Sequence, residues 1–291
     1  RGNVTSNGGL EVTERGFCYG TYPNPTVFDS YVTVGSGVGE FSDTLANLQD
    51  GTTYYVKAYA VNSLGTTYGE QLSLTYIHCM GTIRDVENNS YSIVRIGRQC
   101  WMKENLRTTK KPNGSTISSG IWGSGSNPSY GFRYSWSTVM NGASSSSANP
   151  SGVQGICPDG WHVPSDAEWT QLTDYVSSQS EYVCGSNHNY IAKALADITG
   201  WHSSSSSSYT CSVGYTLSQN NATGFSAFPA GYYDSSYEHY INGGTEAHFW
   251  SATLGSSTSA YSRCLSYNGE TVLRGRYSIE RYGYSVRCLR D

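Results

Sequence analysis

Short runs of β-branched and aromatic residues separated by turn residues fill the first quarter of the chain. The segment Thr53-Tyr54-Tyr55-Val56-Lys57-Ala58-Tyr59-Ala60-Val61 predicts a strand that ends in the turn Asn62-Ser63-Leu64-Gly65. Asp50-Gly51 marks a turn before it, Gln71 to Thr75 predicts a second strand, and Arg15 to Tyr19 another. Asp85 to Gly97 predicts a hairpin around an Asn-rich turn, and strand character continues from Gly97 to Arg107. At Gly160 to Trp169 the period changes. Pro164 closes an extended segment, and Ser165 with Glu168 forms a capping box that starts a helix. Val163, Trp169, Leu172 and Val176 supply its apolar stripe. Asn189 to Asp197 predicts a second helix that stops before Gly200. The Gly-, Ser- and Asn-rich residues 113–152 predict a long surface loop, and the tract Ser203 to Ser208 a loop tip.

The length of 291 residues suggests two domains. Only 14% of residues are charged and the net charge is −4, so no nucleic-acid partner and no anionic membrane surface is expected. Gly (33) and Tyr (25) outweigh Met (3), the profile of a β-rich, loop-rich extracellular protein. No apolar run of about 20 residues occurs, so no direct membrane span is expected. Arg1 is not an initiator Met, and the chain reads as a mature piece of a longer protein with further domains upstream. Eight cysteines, at 18, 79, 100, 157, 184, 211, 264 and 288, contain no C-x-x-C, and no His/Cys cluster has zinc spacing. Disulfides in an oxidising compartment follow, with neither metal nor cofactor.

Two resemblances sharpen this outline. Leu48 with Tyr54 is similar to the tyrosine corner of a β-sandwich, whose hydroxyl bonds back to backbone upstream. With Tyr59-Ala60-Val61-Asn62-Ser63 it makes residues 1–76 resemble a partial fibronectin type III domain whose first strand is missing, a spacer module. Residues 77–81 are a short join. The run Gly160-Trp161-His162-Val163-Pro164-Ser165, followed by Glu168-Trp169, resembles C-type-lectin-like folds, especially relatives of the formylglycine-generating enzyme. More specifically, Asp85 to Thr109, Tyr130 to Tyr134, Cys157 to Ser165, Gly224 to Gly231, Phe249 to Thr253 and Ser285 to Leu289 resemble, in order, the Fibrobacter succinogenes major paralogous domain. That domain belongs to secreted and surface proteins, and the likeness implies a C-type-lectin-like domain over 82–291. The fold class expected is a β-rich α+β chain: a partial fibronectin-III-like sandwich, then a C-type-lectin-like domain.

Candidate chemistry is sparse. No G-x-S-x-G elbow exists, and the six histidines are scattered. His162, in the family motif beside the capped helix, reads as structural, and Asp166 and Glu168 suit the positive end of the helix dipole. The formylglycine-type relatives use a closely spaced cysteine pair, which Cys264 and Cys288 do not reproduce, so no enzyme is expected. Calcium lectins of this fold use E-P-N or Q-P-D, absent here. Asp234, Glu238, Asn242 and Glu246 are conceivable calcium ligands but read first as a solvated loop.

A binding face carries the stronger signal. Between Tyr232 and Tyr284 lie nine tyrosines interleaved with Ser, Asn, Gly and Arg, the residues that antibody loops use for rigid contact area and adaptable hydrogen bonds. Strand alternation in Tyr261 to Asn268 sets Ser262, Cys264, Ser266 and Asn268 on one face, expected toward solvent or ligand. Tyr261, Arg263, Leu265 and Tyr267 take the other, expected to pack. The family resemblance adds diversity-generating retroelements, whose mutagenesis varies such codons. Ser262, Cys264, Ser266, Asn268, Leu273, Arg276, Tyr277 and Ser278 would be the diversified set. Tyr233, Tyr237, Tyr240, Trp250 and Tyr282 complete the expected ligand-binding residues. On that face Cys264 should be unpaired, and Cys18 reads as a buried thiol. Cys184–Cys211 is the local bridge. The remaining four give Cys100–Cys157 and Cys79–Cys288, the latter joining the domain ends as lectin-like folds do, with Cys264–Cys288 as the rival. The expected function is a secreted or cell-surface, fimbria-like adhesion module whose partner is a protein or glycan receptor on another cell or surface. The alternative is a carbohydrate-binding or cell-wall-attachment module, which needs Trp122, Trp136 or Trp250 exposed for stacking on sugar rings.

Overall fold

A computed structural model describes residues 1–123, 130–205 and 209–291. Part of the serine tract, residues 206–208, lies outside the described residues, as do 124–129 of the expected loop. The chain divides into two compact units, Arg1–His78 and Cys79–Asp291. It is β-rich with few helices, and all its sheets pair antiparallel within the named strands.

The first unit contains β1 (Gly2–Val4), β2 (Glu14–Gly20), β3 (Ser30–Gly35), β4 (Gly39–Phe41), β5 (Thr52–Asn62), β6 (Gly65–Tyr68) and β7 (Leu72–Tyr76). β1 and β4 pair with each other. The other five form one sheet in which β2 lies between β3 and β5. The long β5 pairs with β7 along its first half and with β6 along its second, so the run after Leu64 makes two short strands rather than one. Phe17 of β2 and Phe41 of β4 meet at 4.9 Å and join the two sheets. The backbone N–H of Gln49 donates to the Tyr54 hydroxyl at 3.0 Å, the upstream bond that Leu48 and Tyr54 predict.

The second unit opens with β8 (Thr82–Arg84), β9 (Ser90–Ile96) and β10 (Gln99–Met102), followed by β11 (Ile121–Trp122), β12 (Arg133–Ser135) and α1 (Trp136–Met140). Next come β13 (Trp161–His162), α2 (Asp166–Ser178), α3 (Ala192–Leu195), β14 (Tyr232–Asp234) and β15 (His239–Ile241). β16 (Glu246–Ser256), β17 (Ser259–Ser266), β18 (Leu273–Ser278), β19 (Tyr282–Tyr284) and β20 (Leu289–Arg290) complete it. Three sheets result, ordered β13-β20-β10-β9-β8, β11-β12-β19-β14-β15 and β16-β17-β18. The Asn-rich turn between β8 and β9 is held by Asp85. Its carboxylate accepts from the Glu87 and Asn89 backbone N–H groups and from the Tyr91 hydroxyl.

The expected surface loop over 113–152 is corrected. It holds β11, β12 and α1, and Trp136, Val139 and Met140 are buried. These lie at i, i+3 and i+4, a helical face too short to stand out among the surrounding Gly and Ser. Ser135 caps that turn by accepting from the Thr138 N–H. The second predicted helix shrinks to the single turn of α3.

α2 begins as its sequence demands. Ser165 Oγ accepts from the Glu168 N–H, and the Glu168 carboxylate accepts from the Ser165 N–H. Trp169 on this helix stacks among Trp101, Phe225 and Phe249 at centroid distances of 4.6–5.9 Å, the centre of one core. Glu168 also faces His162 Nε2 at 2.8 Å, while His162 Nδ1 lies 2.6 Å from Asp291. Burial works to lower the His162 pKa, but the hydrogen bonds and charges of Glu168 and Asp291 outweigh it and raise it. His162 is therefore structural, a link from the helix start to Asp291.

Arg287 is fully buried, and among the described residues its hydrogen bonds go to an amide oxygen and carbonyls rather than to a carboxylate. Its guanidinium donates to Asn105 Oδ1 (2.6 Å) and to the carbonyls of Met102 (3.1 Å), Phe225 (2.6 Å) and Ser226 (2.6 Å). It also lies over the rings of Phe225 and Phe249. Burial pulls its pKa down to about 9, so it remains a cation at neutral pH.

The disulfides are Cys79–Cys100, Cys157–Cys288 and Cys184–Cys211. Cys184–Cys211 is as expected. Cys100–Cys157, Cys79–Cys288 and the rival Cys264–Cys288 are corrected: the Cys79 Cα lies 5.3 Å from that of Cys100, and Cys157 lies 5.9 Å from Cys288, each within bridging reach.

Two stability predictions follow from these buried charges. Arg287→Lys removes the planar fork and strands several buried carbonyls, and should lower the stability of the second unit by about 3–5 kcal/mol. Denaturant unfolding followed by tryptophan fluorescence reads this unit alone, because all seven tryptophans lie within it. For His162, a folded-state pKa raised above 6.5 means its stabilisation is fully present below that value and is lost as pH rises through the folded value. The unfolding free-energy gap between wild type and His162→Gln should therefore be widest near pH 6 and narrow as the pH is raised, a trend measured by denaturant titration at several pH values.

Candidate ligand-binding face

The sheet β11-β12-β19-β14-β15 gathers aromatic and arginine side chains from four separate stretches of chain. Trp122 and Tyr233 stack at 4.4 Å with an interplanar angle of 13°. The approach requires Gly283 beside them, because a Cβ there would sit 2.5 Å from the Trp122 ring. Tyr240, on the partner strand of Tyr233, packs against it at 5.4 Å and carries the Arg133 guanidinium 4.9 Å over its ring.

Next to this stack, Arg281 grips Asp234 with both Nε and Nη2 at 2.8–3.1 Å. The Arg281 bond holds the Asp234 carboxyl below its usual range. Fixed by that fork, the guanidinium lies over Tyr237 and Tyr282 at 5.5 and 5.1 Å. Tyr237 and Tyr240 are exposed, while Trp122, Tyr233 and Tyr282 are half-buried. The result is a preorganised surface of flat rings edged by fixed cations.

Tyr282 continues into a second, buried cluster. Its ring stacks on Tyr284, which packs on Trp250, and Tyr277 reaches across from β18 to Tyr282 and Tyr284. Trp250 is 0% exposed and donates its indole N–H to the Tyr134 carbonyl. Ser262 and Cys264 are 0% and 4% exposed. The expected solvent face of Ser262 and Cys264, and any role of Trp250 as an exposed platform, are therefore corrected. β17 is the middle strand of its sheet, and side chains on both its faces are buried near the centre, so that of this set only the half-buried Ser266 and the exposed Asn268 reach the surface, at the end. Arg263 and Leu265 pack as expected. The Arg263 guanidinium is satisfied by Asp166, which Arg274 also grips while stacking on Tyr261 at 4.0 Å. Leu273 and Arg276 are exposed on β18, with Ser278 half-buried at its end.

The conceivable calcium set does not assemble. Asp234 is occupied by Arg281, and Glu246 bonds to Asn242 and His248. Of the indoles that could stack on sugar, Trp136 and Trp250 are buried and Trp122 is half-exposed. The two free cysteines, Cys18 and Cys264, are both buried, one in each unit. Burial, reinforced by the Glu246 charge, pushes the Cys264 thiol up to about 12, far from a nucleophilic thiolate at neutral pH. Arg133, Arg281, Glu246 and His248 were not singled out as a group by sequence, since their neighbours come from distant strands.

The family model for the Fibrobacter succinogenes major domain matches residues 94–290, and the chain belongs to that family. No curated protein and no solved structure matches the chain.

The thiol inventory is directly measurable. Native protein should show no reaction with a thiol reagent over minutes, and protein unfolded without reductant should show two thiols per chain. A count of zero would mean that Cys264 is bridged.

Proposed function

We propose that this chain is a secreted or surface adhesion module that binds a macromolecular receptor through the face of Trp122, Tyr233, Tyr237, Tyr240, Tyr282 and Arg281. The observation that carries the reading is the prearranged ring-and-guanidinium surface, since rigid Tyr, Trp and Arg side chains dominate the energetics of protein recognition. Three disulfides support an oxidising, extracellular setting. In this reading residues 1–78 are a fibronectin-III-like spacer and the family domain is a C-type-lectin-like display scaffold, acting without chemistry of its own. A retroelement-diversified surface would then draw on the exposed Asn268, Leu273 and Arg276 and the half-buried Ser266, Tyr277 and Ser278. A carbohydrate-binding role is favoured by one feature, the Trp122 ring flanking the exposed tyrosines.

Protein and glycan arrays probed with the intact chain, with Tyr237→Ala/Tyr240→Ala and with Arg276→Ala/Tyr277→Ala, separate these readings. The adhesion reading expects protein hits that weaken by roughly 10- to 100-fold in the first variant. Glycan hits that vanish with Trp122→Ala would move the assignment to the carbohydrate module, and hits unaffected by every variant would refute the proposed face.

A further inference from the structure

Directly behind the tyrosine cluster, three metal-ligating side chains converge across two strands. Glu246 and His248 stand two residues apart on β16 and so point to the same side. Cys264 on β17 lies opposite His248 in register. His248 Nε2 is 2.8 Å from Glu246 Oε2 and 3.5 Å from Cys264 Sγ, and the three ligand atoms fall within 4.8 Å of one another. His248 and Cys264 are buried, while Glu246 keeps a quarter of its side chain exposed and opens the group to solvent.

We propose that Glu246, His248 and Cys264 bind a zinc-class divalent cation, with water in the remaining position. A carboxylate oxygen, an imidazole nitrogen and a thiolate are the donor types that zinc takes, and three of them plus water complete a tetrahedron. In such a tetrahedron, bond lengths of about 2.0 Å to nitrogen and 2.3 Å to sulfur place those two atoms roughly 3.5 Å apart. That is the separation seen between His248 and Cys264. The Glu246 oxygen, 2.8 Å from His248 Nε2 and within 4.8 Å of Cys264 Sγ, would reach the corresponding separations of roughly 3.3 and 3.5 Å by a rotation of its partly exposed side chain.

A purely structural hydrogen bond between Glu246 and His248 leaves more unexplained. Cys264 would be a thiol buried against the His248 imidazole, with the Leu265 carbonyl as its other contact. Among the described residues the fully buried Ser262 Oγ, on the same strand face as Cys264, has no hydrogen-bond partner, and neither does His248 Nδ1. Rings of Tyr232, Tyr277 and Tyr284 pack around His248 at 4.7–6.0 Å and would fix the imidazole for coordination. Binding converts Cys264–SH to a metal-bound thiolate and releases one proton to solvent, with no redox step.

The test uses the full chain, stripped by chelator and titrated with Co2+ and with Zn2+. The proposal expects one metal per chain and, with Co2+, a near-ultraviolet thiolate-to-metal band, with Zn2+ displacing Co2+. Because the other six cysteines are bridged, only Cys18 and Cys264 can supply the thiolate. Cys264→Ser should abolish the band and weaken Zn2+ binding roughly 100-fold or more. Cys18→Ser should leave both unchanged. Glu246→Gln, a partly exposed substitution, should weaken binding while tryptophan fluorescence reports an intact fold. Absence of bound metal in the wild type, or a band that survives Cys264→Ser, overturns the proposal. The binding-face reading does not depend on this outcome.

Discussion

A single buried cation organises the second unit. Arg287 sits where the last strand, the end of β10 and the loop at Phe225-Ser226 converge, and its fork donates to a side-chain amide and three carbonyls. The Met102 carbonyl ends β10, and those of Phe225 and Ser226 belong to irregular backbone, which has no ladder to satisfy it. A loop-rich domain needs such an internal donor, because loops turned inward otherwise strand polar groups at a cost of about 1–3 kcal/mol each. The aromatic rings of Phe225 and Phe249 complete the shell, replacing water around the guanidinium. With this node in place, the neighbouring strand β19 has a fixed position, and β19 is the centre of the tyrosine-bearing sheet.

Division of labour between two tyrosine populations follows from that sheet order. Those toward Trp250 fill a core and fix geometry, whereas those beside Arg281 and Arg133 keep their edges in solvent. Tyr282 belongs to both, touching Tyr284 on one side and the Arg281 cation on the other. The surface rings are thus braced from behind, which limits the conformational entropy lost when a partner binds.

Local signals in the sequence were legible wherever neighbouring residues settle the geometry. The Ser165/Glu168 box starts a helix through two short-range bonds, and the Tyr54 hydroxyl bonds only a few residues upstream. The family motifs likewise lie in continuous runs. Long-range pairing was not legible. Alternation in Tyr261 to Asn268 correctly separates two faces, but it cannot say that β17 is a middle strand with buried side chains on both faces. Cysteine pairing fails for the same reason, since Cys79 and Cys157 find their partners through sheet order rather than spacing. The convergence of Glu246 and His248 with Cys264 is a matter of cross-strand register, so no sequence spacing announces it.

The position of the Cys157–Cys288 bridge bears on how the domain would carry tension. Its neighbour Leu289 pairs with Trp101, so the β10 and β20 strands lie side by side, and Cys79 is tied covalently to Cys100 next to Trp101. A pull applied at Cys79 and at the strand after Cys288 would enter the short antiparallel β10–β20 ladder at one end, across Cys100 and Arg290, and unzip it while the body of the domain hung outside the line of force. Were that ladder to part, only the stretch between Cys100 and Cys157 could be drawn out. The 131 positions spanned by the second bridge would stay within one closed loop, and with them Tyr233, Tyr237, Tyr240 and Tyr282, whereas Trp122 and Arg133 would leave with the drawn-out stretch. Such a domain would lengthen by a bounded amount under load and would part the Trp122–Tyr233 stack as it did so, coupling tension to the state of its contact surface.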